Sequence, residues 1–185
     1  IEDGTVKSIS KLGSRTNGLA ATADGAFLFS GGRDGVLRKW EVASGTLVKQ
    51  TDRSGGEILG VDLSKDQTML GVTARTRHLG LFDPNDLSLR KELASESTFW
   101  AGRFSPDSRR FIGGTWMPDV RQYDVQTGEL IVTHRGHSQL IPLAIPSVDG
   151  KFVYSAGMEG VVKVWSAETG DEFASFSGGS NAFWI

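Results

Sequence analysis

The chain's 185 residues carry 20 Lys and Arg against 22 Asp and Glu, for a net charge of −2, and contain no Cys. So even a balance gives no general push toward nucleic acid or membrane, and the missing thiols exclude disulfides, Cys-ligated zinc, c-type haem attachment and thiol catalysis within this chain. No apolar run approaches the roughly 20 residues of a membrane helix and no signal segment is present, while a Cys-free chain leaves the compartment open.

In chain order, residues 1–12 read as an outer strand, because "GTVKSISKLGSRTNGLAATADG" runs in phase with the later "TLVKQTDRSGGEILGVDLSKDQ". Residues 13–54 form a first unit with "AFLFS", the turn "GGRDG", a stretch ending in Trp40-Glu41, and "LVKQ". Residues 55–96 repeat this order with "TMLGV", "TARTRHLG", Phe82-Asp83 and "LRKEL". Residues 97–136 follow with "RFIGG", "GTWMPDV", Tyr123-Asp124 and "LIVTH", and residues 137–178 with "KFVYSAG", Trp165-Ser166 and "EFASF". Residues 179–185 read as the start of another unit.

Two markers keep one period. The aromatics Trp40, Phe82, Tyr123 and Trp165 lie 42, 41 and 42 residues apart, and so do Asp24, Asp66, Asp107 and Asp149. Each unit consists of short apolar segments bounded by turn residues, 24 glycines suit such turns, and no ten-residue stretch has a helical period. Four short strands in each unit of about 42 residues imply an all-β chain built as a β-propeller of four-stranded antiparallel blades. A seven-bladed ring would need roughly 290 residues at this repeat length, so the expectation is four full repeats with partial ends, a segment of a larger or partner-completed ring.

These residues resemble the WD-repeat propeller family over essentially the whole chain, most specifically in the first and fourth units. The resemblance implies a buried hydrogen-bond relay that pins each blade. In the fourth unit its members would be His137, Ser155, the turn residue Glu159 and Trp165. In the first they would be Ser30, Asp34 and Trp40, with Leu12 or Gly13 where the family has His. The second and third units depart from the pattern: Phe82 and Tyr123 replace Trp, and their turns carry no Asp at the matching place. Those blades would lack the full relay and are expected to rely more on packing.

Little else points to chemistry. "HRGH" (His134 to His137) lacks a third ligand and His137 already has a structural role, so no metal is expected. "SGGRDG" lacks the strand–loop–helix setting and the Lys-Ser/Thr ending of a phosphate loop. The repeated carboxylates read as turn formers, no Ser–His–acid set stands out, and no cofactor is expected. Charge does divide between loop faces. The loops that enter the first strands and join second to third strands collect Arg15, Arg33, Arg53, Arg75, Arg77, His78 and Arg135, diluted by Glu57 and Glu96. That face also carries Trp116, Met117 and Met158, with Trp100 close by. In the resembled family the residue before the turn Asp is a frequent partner contact, and here it reads Arg33, Arg75, Trp116 and Met158. Arg33, Arg75, Arg77, Trp100, Trp116, Met117 and Met158 are therefore the candidate partner-binding residues, suited to acidic or aromatic-bearing peptides.

The reading is a non-catalytic platform for protein partners, or a subunit or domain of a larger complex. The alternatives are an accessory domain of an enzyme whose catalytic part lies outside this chain and, further off, a redox or quinone-type propeller enzyme. A nucleic-acid role rests on the basic face alone.

Overall fold

Why the chain folds into repeated sheets is visible first in its turns. Thr22, Ser64, Ser105 and Ser147 each donate a side-chain hydrogen bond to the Asp two residues on, namely Asp24, Asp66, Asp107 and Asp149. Each Asp in turn accepts the backbone N–H two residues further along. Each Ser or Thr oxygen also accepts the N–H of the residue five positions after it. This side-chain scaffold reverses the chain between first and second strand in every unit. It also holds the four carboxyls below the usual Asp range, the hydroxyl being the largest cause at Asp24 and Asp149, while at Asp66 and Asp107 the hydrogen bonds outweigh burial.

The computed structural model describes residues 14–52 and 56–177. Among them sixteen strands form four antiparallel sheets. The first holds β1 (Thr16–Ala21), β2 (Phe27–Gly32), β3 (Arg38–Glu41) and β4 (Thr46–Gln50). The second holds β5 (Ile58–Leu63), β6 (Leu70–Ala74), β7 (Leu79–Phe82) and β8 (Leu89–Glu92). The third holds β9 (Phe99–Phe104), β10 (Arg110–Thr115), β11 (Asp119–Asp124) and β12 (Leu130–Arg135). The fourth holds β13 (Leu143–Pro146), β14 (Phe152–Ala156), β15 (Val161–Ser166) and β16 (Glu172–Ser177). The expected outer strand at 1–12 and the stub at 179–185 lie outside the described residues.

Every sheet is a simple meander in which strands pair in sequence order. The four period-marking aromatics occupy the same place: Trp40 faces Leu28, Phe82 faces Leu70, Tyr123 faces Phe111 and Trp165 faces Val153 across the second and third strands. Each also follows a register shift toward the fourth strand, so the same bulge recurs in all four sheets. First strands adjoin from sheet to sheet, β1 beside β5, β5 beside β9 and β9 beside β13.

Apolar residues gather at three junctions instead of one centre. Phe29, Ile58, Val61, Val72 and Phe82 fill the space between the first two sheets. Leu81, Phe99, Phe104, Phe111 and Tyr123 fill the next, and Ile112, Val120, Ile141, Val153 and Trp165 the last. Rings meet edge to face within the second junction, Phe104 with Phe111 at 4.9 Å and Phe99 with Tyr123 at 5.9 Å. No helix among the described residues is long and apolar enough to cross a membrane.

Candidate functional site

The fourth sheet contains a continuous buried hydrogen-bond chain. Trp165 Nε1 donates to Ser155 Oγ at 2.7 Å, and Ser155 Oγ lies 2.7 Å from His137 Nε2. His137 Nδ1 bonds Glu159 Oε1. Burial works against the Glu159 carboxylate, but the His137 hydrogen bond and charge hold its pKa below the ordinary value. The sequence reading saw no Ser–His–acid set, and this is a correction: Glu159, His137 and Ser155 stand in that order. The set is sealed. Ser155 is only 2% exposed and its oxygen already takes the indole N–H, so no substrate carbonyl can approach it.

The other sheets carry reduced versions. In the first, Trp40 Nε1 donates to Ser30 Oγ at 2.8 Å, while Asp34 accepts the Val36 N–H at 3.2 Å and the Arg38 guanidinium at 2.7 Å. The Arg38 contact is the largest cause that lowers the Asp34 pKa. Leu12 and Gly13 lie outside the described residues. In the second sheet Phe82 has no donor, and Thr73 Oγ1 is buried without a hydrogen bond. The third also lacks the full relay, yet it carries a buried polar chain beside its packing. Thr115 Oγ1 donates to Asp119 at 2.6 Å, and Asp119 pairs with Arg121 at 3.1 Å, both residues being buried. The acid stands two residues nearer the aromatic than Asp34 does, which is why alignment by spacing missed it. His134 and His137 do not converge on one point: His134 turns to the Gln122 amide at 2.7 Å, His137 to Ser155.

The surface rim is organised by a different repeated bond. Arg33, Arg75, Trp116 and Met158 each donate their backbone N–H to a carbonyl 18 residues earlier, those of Arg15, Glu57, Thr98 and Leu140. All four turns are thereby pinned against the chain that leads into the first strand of their sheet, on one edge of the assembly. Within this edge Trp100, on β9, and Trp116 bring their rings to 5.9 Å with a 32° tilt. The Arg75 guanidinium lies 5.6 Å from the Trp116 ring and bonds Glu57 at 2.7 Å. Asn17 reaches the same carboxylate at 3.1 Å, and Thr98 donates to the Arg75 carbonyl at 3.0 Å. Arg75 is the main reason the Glu57 pKa falls, with a contribution from the charge of Arg33. Arg33, Glu57, Arg75, Trp116 and Trp100 thus form a run across three sheets.

The remaining candidates sit apart. Met117 is exposed, its sulfur 3.9 Å from the Arg121 guanidinium, and Met158 is exposed on the fourth sheet. Arg77, at a positive φ of 65°, lines a cleft with His78 instead of joining the tryptophans. Trp116 remains 45% exposed, so its ring is not core filler. Sequence reasoning treated Glu57 only as a diluting charge and missed Asn17 and Thr98. The 18-residue offset to Arg75 and Trp116 is the signal that would have found Glu57 and Thr98.

Successive four-stranded antiparallel sheets, first strand beside first strand, with Ser–Trp bonds in the first and last, define a repeat protein of propeller-type blades. The family described as "WD domain, G-beta repeat" matches residues 6–41 and 128–166. The chain is 26% identical over 159 residues to Autophagy-related protein 16 of Arabidopsis thaliana, which covers 84% of this chain and 31% of that protein. It is 26% identical over 167 residues to Transducin beta-like protein 3 of Bos taurus, covering 88% and 21%, respectively. It is 29% identical over 129 residues to Serine-threonine kinase receptor-associated protein of Dictyostelium discoideum, covering 70% and 43%. The chain therefore spans less than half the length of these relatives. Two stretches of the chain thus match the WD40 repeat family, and the chain is distantly similar to these relatives over most of its length.

Proposed function

We propose that this chain is a non-catalytic platform for protein partners, and that the rim run from Arg33 to Trp100 is a docking surface. WD40 domains generally mediate protein interactions, which supports the class; the residues come from the rim itself. The observation that carries the reading is the exposed Trp116 ring, set against the half-buried Trp100 with Arg75 held over it. A tryptophan fixed by neighbours gives contact area at little entropic cost, and Trp and Arg dominate interface hot spots. Arg33 is exposed and forms no ion pair among the described residues, so it is the group available to a carboxylate. The partner chemistry that fits is a segment with an acidic residue beside an aromatic one.

The test is isothermal titration with a peptide alternating Glu and Phe, against the same peptide with Gln for Glu. Trp116→Ala should weaken binding by about 2 kcal/mol with the unfolding midpoint nearly unchanged. Lost stability with unchanged binding would make Trp116 a structural residue and end this reading of the rim.

A further inference from the structure

A second feature on the same edge is independent of the tryptophans. Between the outer strands β8 and β12 of the second and third sheets lies a cleft of about 840 Å³. Its walls include Arg77, His78, Glu92, Glu96, Arg121 and Arg135, with Leu93 and Leu130 as apolar lining. Internal pairing decides which charges are open to a ligand. His78 meets Glu92 at 3.0 Å, and Arg121 is held by Asp119 at 3.1 Å. Arg77 and Arg135 are exposed and form no ion pair among the described residues; Glu96 is the lining acid in the same condition. Two open guanidinium groups thus face one open carboxylate, one from each sheet.

The shape selects the kind of ligand. Leu130 and Arg135 stand at opposite ends of β12, so the cleft runs about 17 Å along that strand, the span of about five residues of extended chain. A simple ion would leave most of it empty. Leu130 offers an apolar contact at one end, while the Arg135 guanidinium and, from the facing turn, Arg77 supply charge.

We infer that this cleft binds an extended acidic segment of a protein partner, its carboxylates taken by Arg77 and Arg135 and an intervening apolar side chain seated on the exposed Leu130. Guanidinium groups recognise carboxylates with two parallel hydrogen bonds, and the two sheets hold theirs on opposite walls. The site is separate from the Trp116 rim, so either can fail alone.

The probe is a fluorescein-labelled peptide of about eight residues that alternates Asp and Leu, compared with its Asn–Leu counterpart, by fluorescence anisotropy at low salt. The Asp peptide should bind more tightly than the Asn peptide. The double variant Arg77→Ala, Arg135→Ala should lose about tenfold or more in affinity. Glu96→Gln should bind about twofold more tightly, because it removes the one opposing open charge, a gain that a merely structural role would not produce. Trp116→Ala should leave this affinity unchanged. Equal binding of the two peptides, an indifferent double variant, no binding at all, or loss on Trp116→Ala would each overturn the inference.

Discussion

Ser155 joins two members of the buried relay, because one hydroxyl serves both Trp165 and His137. Ser30 has Trp40 as its side-chain partner among the described residues. Trp165→Phe should therefore cost about 1–3 kcal/mol, from lost packing and an unmatched buried oxygen, and Ser155→Ala should cost more than Ser30→Ala. Urea unfolding of the variants measures both; a Trp165→Phe midpoint equal to the parent's would remove the relay as a source of stability. His134 supplies the pH dependence. It is fully buried, and burial, against an opposing pull from the Gly170 backbone and with a lesser contribution from the charge of Arg110, lowers its pKa from 6.5 to about 4. The folded state thus prefers neutral imidazole, so its stabilisation is complete above about pH 6.5 and is lost as the pH falls toward 4. The full effect is about 3 kcal/mol, of which about 2 kcal/mol should be gone by pH 5. His134→Gln keeps a side-chain acceptor for the Gln122 amide without a titrating ring. The difference between its unfolding midpoints at pH 7.5 and pH 5 should be clearly smaller than the parent's; equal differences would assign the acid sensitivity elsewhere.

At the scale of elements, Phe111 decides how closely the second and third sheets approach. A Cβ built at Gly71 would lie 2.1 Å from the Phe111 ring, and one at Gly102 2.2 Å from it. Both glycines leave room for a fully buried ring, and Gly71→Ala should cost about 1–3 kcal/mol through overpacking. Adding Phe111→Leu should recover part of that loss, and additive costs in the double-variant cycle would refute the contact as its source. The strands themselves were legible because turn Asp and third-strand aromatic recur in step, and each marks a local structure, an Asp-stapled turn and a bulge. What spacing could not show is an offset within a unit or a contact between units. Asp119 escaped because its turn closes two residues later than that of Asp34. The Gln122–His134 pair was invisible because it depends on Ala167 of the next sheet, which accepts a hydrogen bond from Gln122 at 3.0 Å. Arg77 falls with Arg75 in the sequence because both lie on a loop that joins a second strand to a third. Arg77 has a left-handed backbone and lines the cleft, while Arg75 lies at the Trp116 ring.

For the whole molecule, stability comes from three junctions in series, each sheet supporting only its neighbours, as in repeat proteins generally. The consequence is clearest at the fourth sheet. The positions equivalent to Tyr154 in the earlier units are Phe29, Gly71 and Ile112, all buried toward the following sheet. Tyr154 is 37% exposed. Around it the strand register places Ile145 and Val164 directly opposite, and Leu143, Ala156, Val162 and Phe176 in line beyond. The Phe173 ring meets that of Phe152 at 5.1 Å with a 53° tilt and is itself 71% exposed. This is a continuous apolar sheet face open to water, larger than a scatter of single surface side chains, and such faces bind apolar dyes. The 185-residue chain should therefore enhance the fluorescence of 8-anilinonaphthalene-1-sulfonate in its folded state. Phe173→Ser with Phe176→Ser should remove much of the signal while shifting stability by only about 0.5 kcal/mol per site, since neither ring is buried. Trp116→Ala, on the other edge, should leave most of it. A signal that survives the double serine variant would mean that the dye finds its apolar surface elsewhere, and that this face is covered in solution.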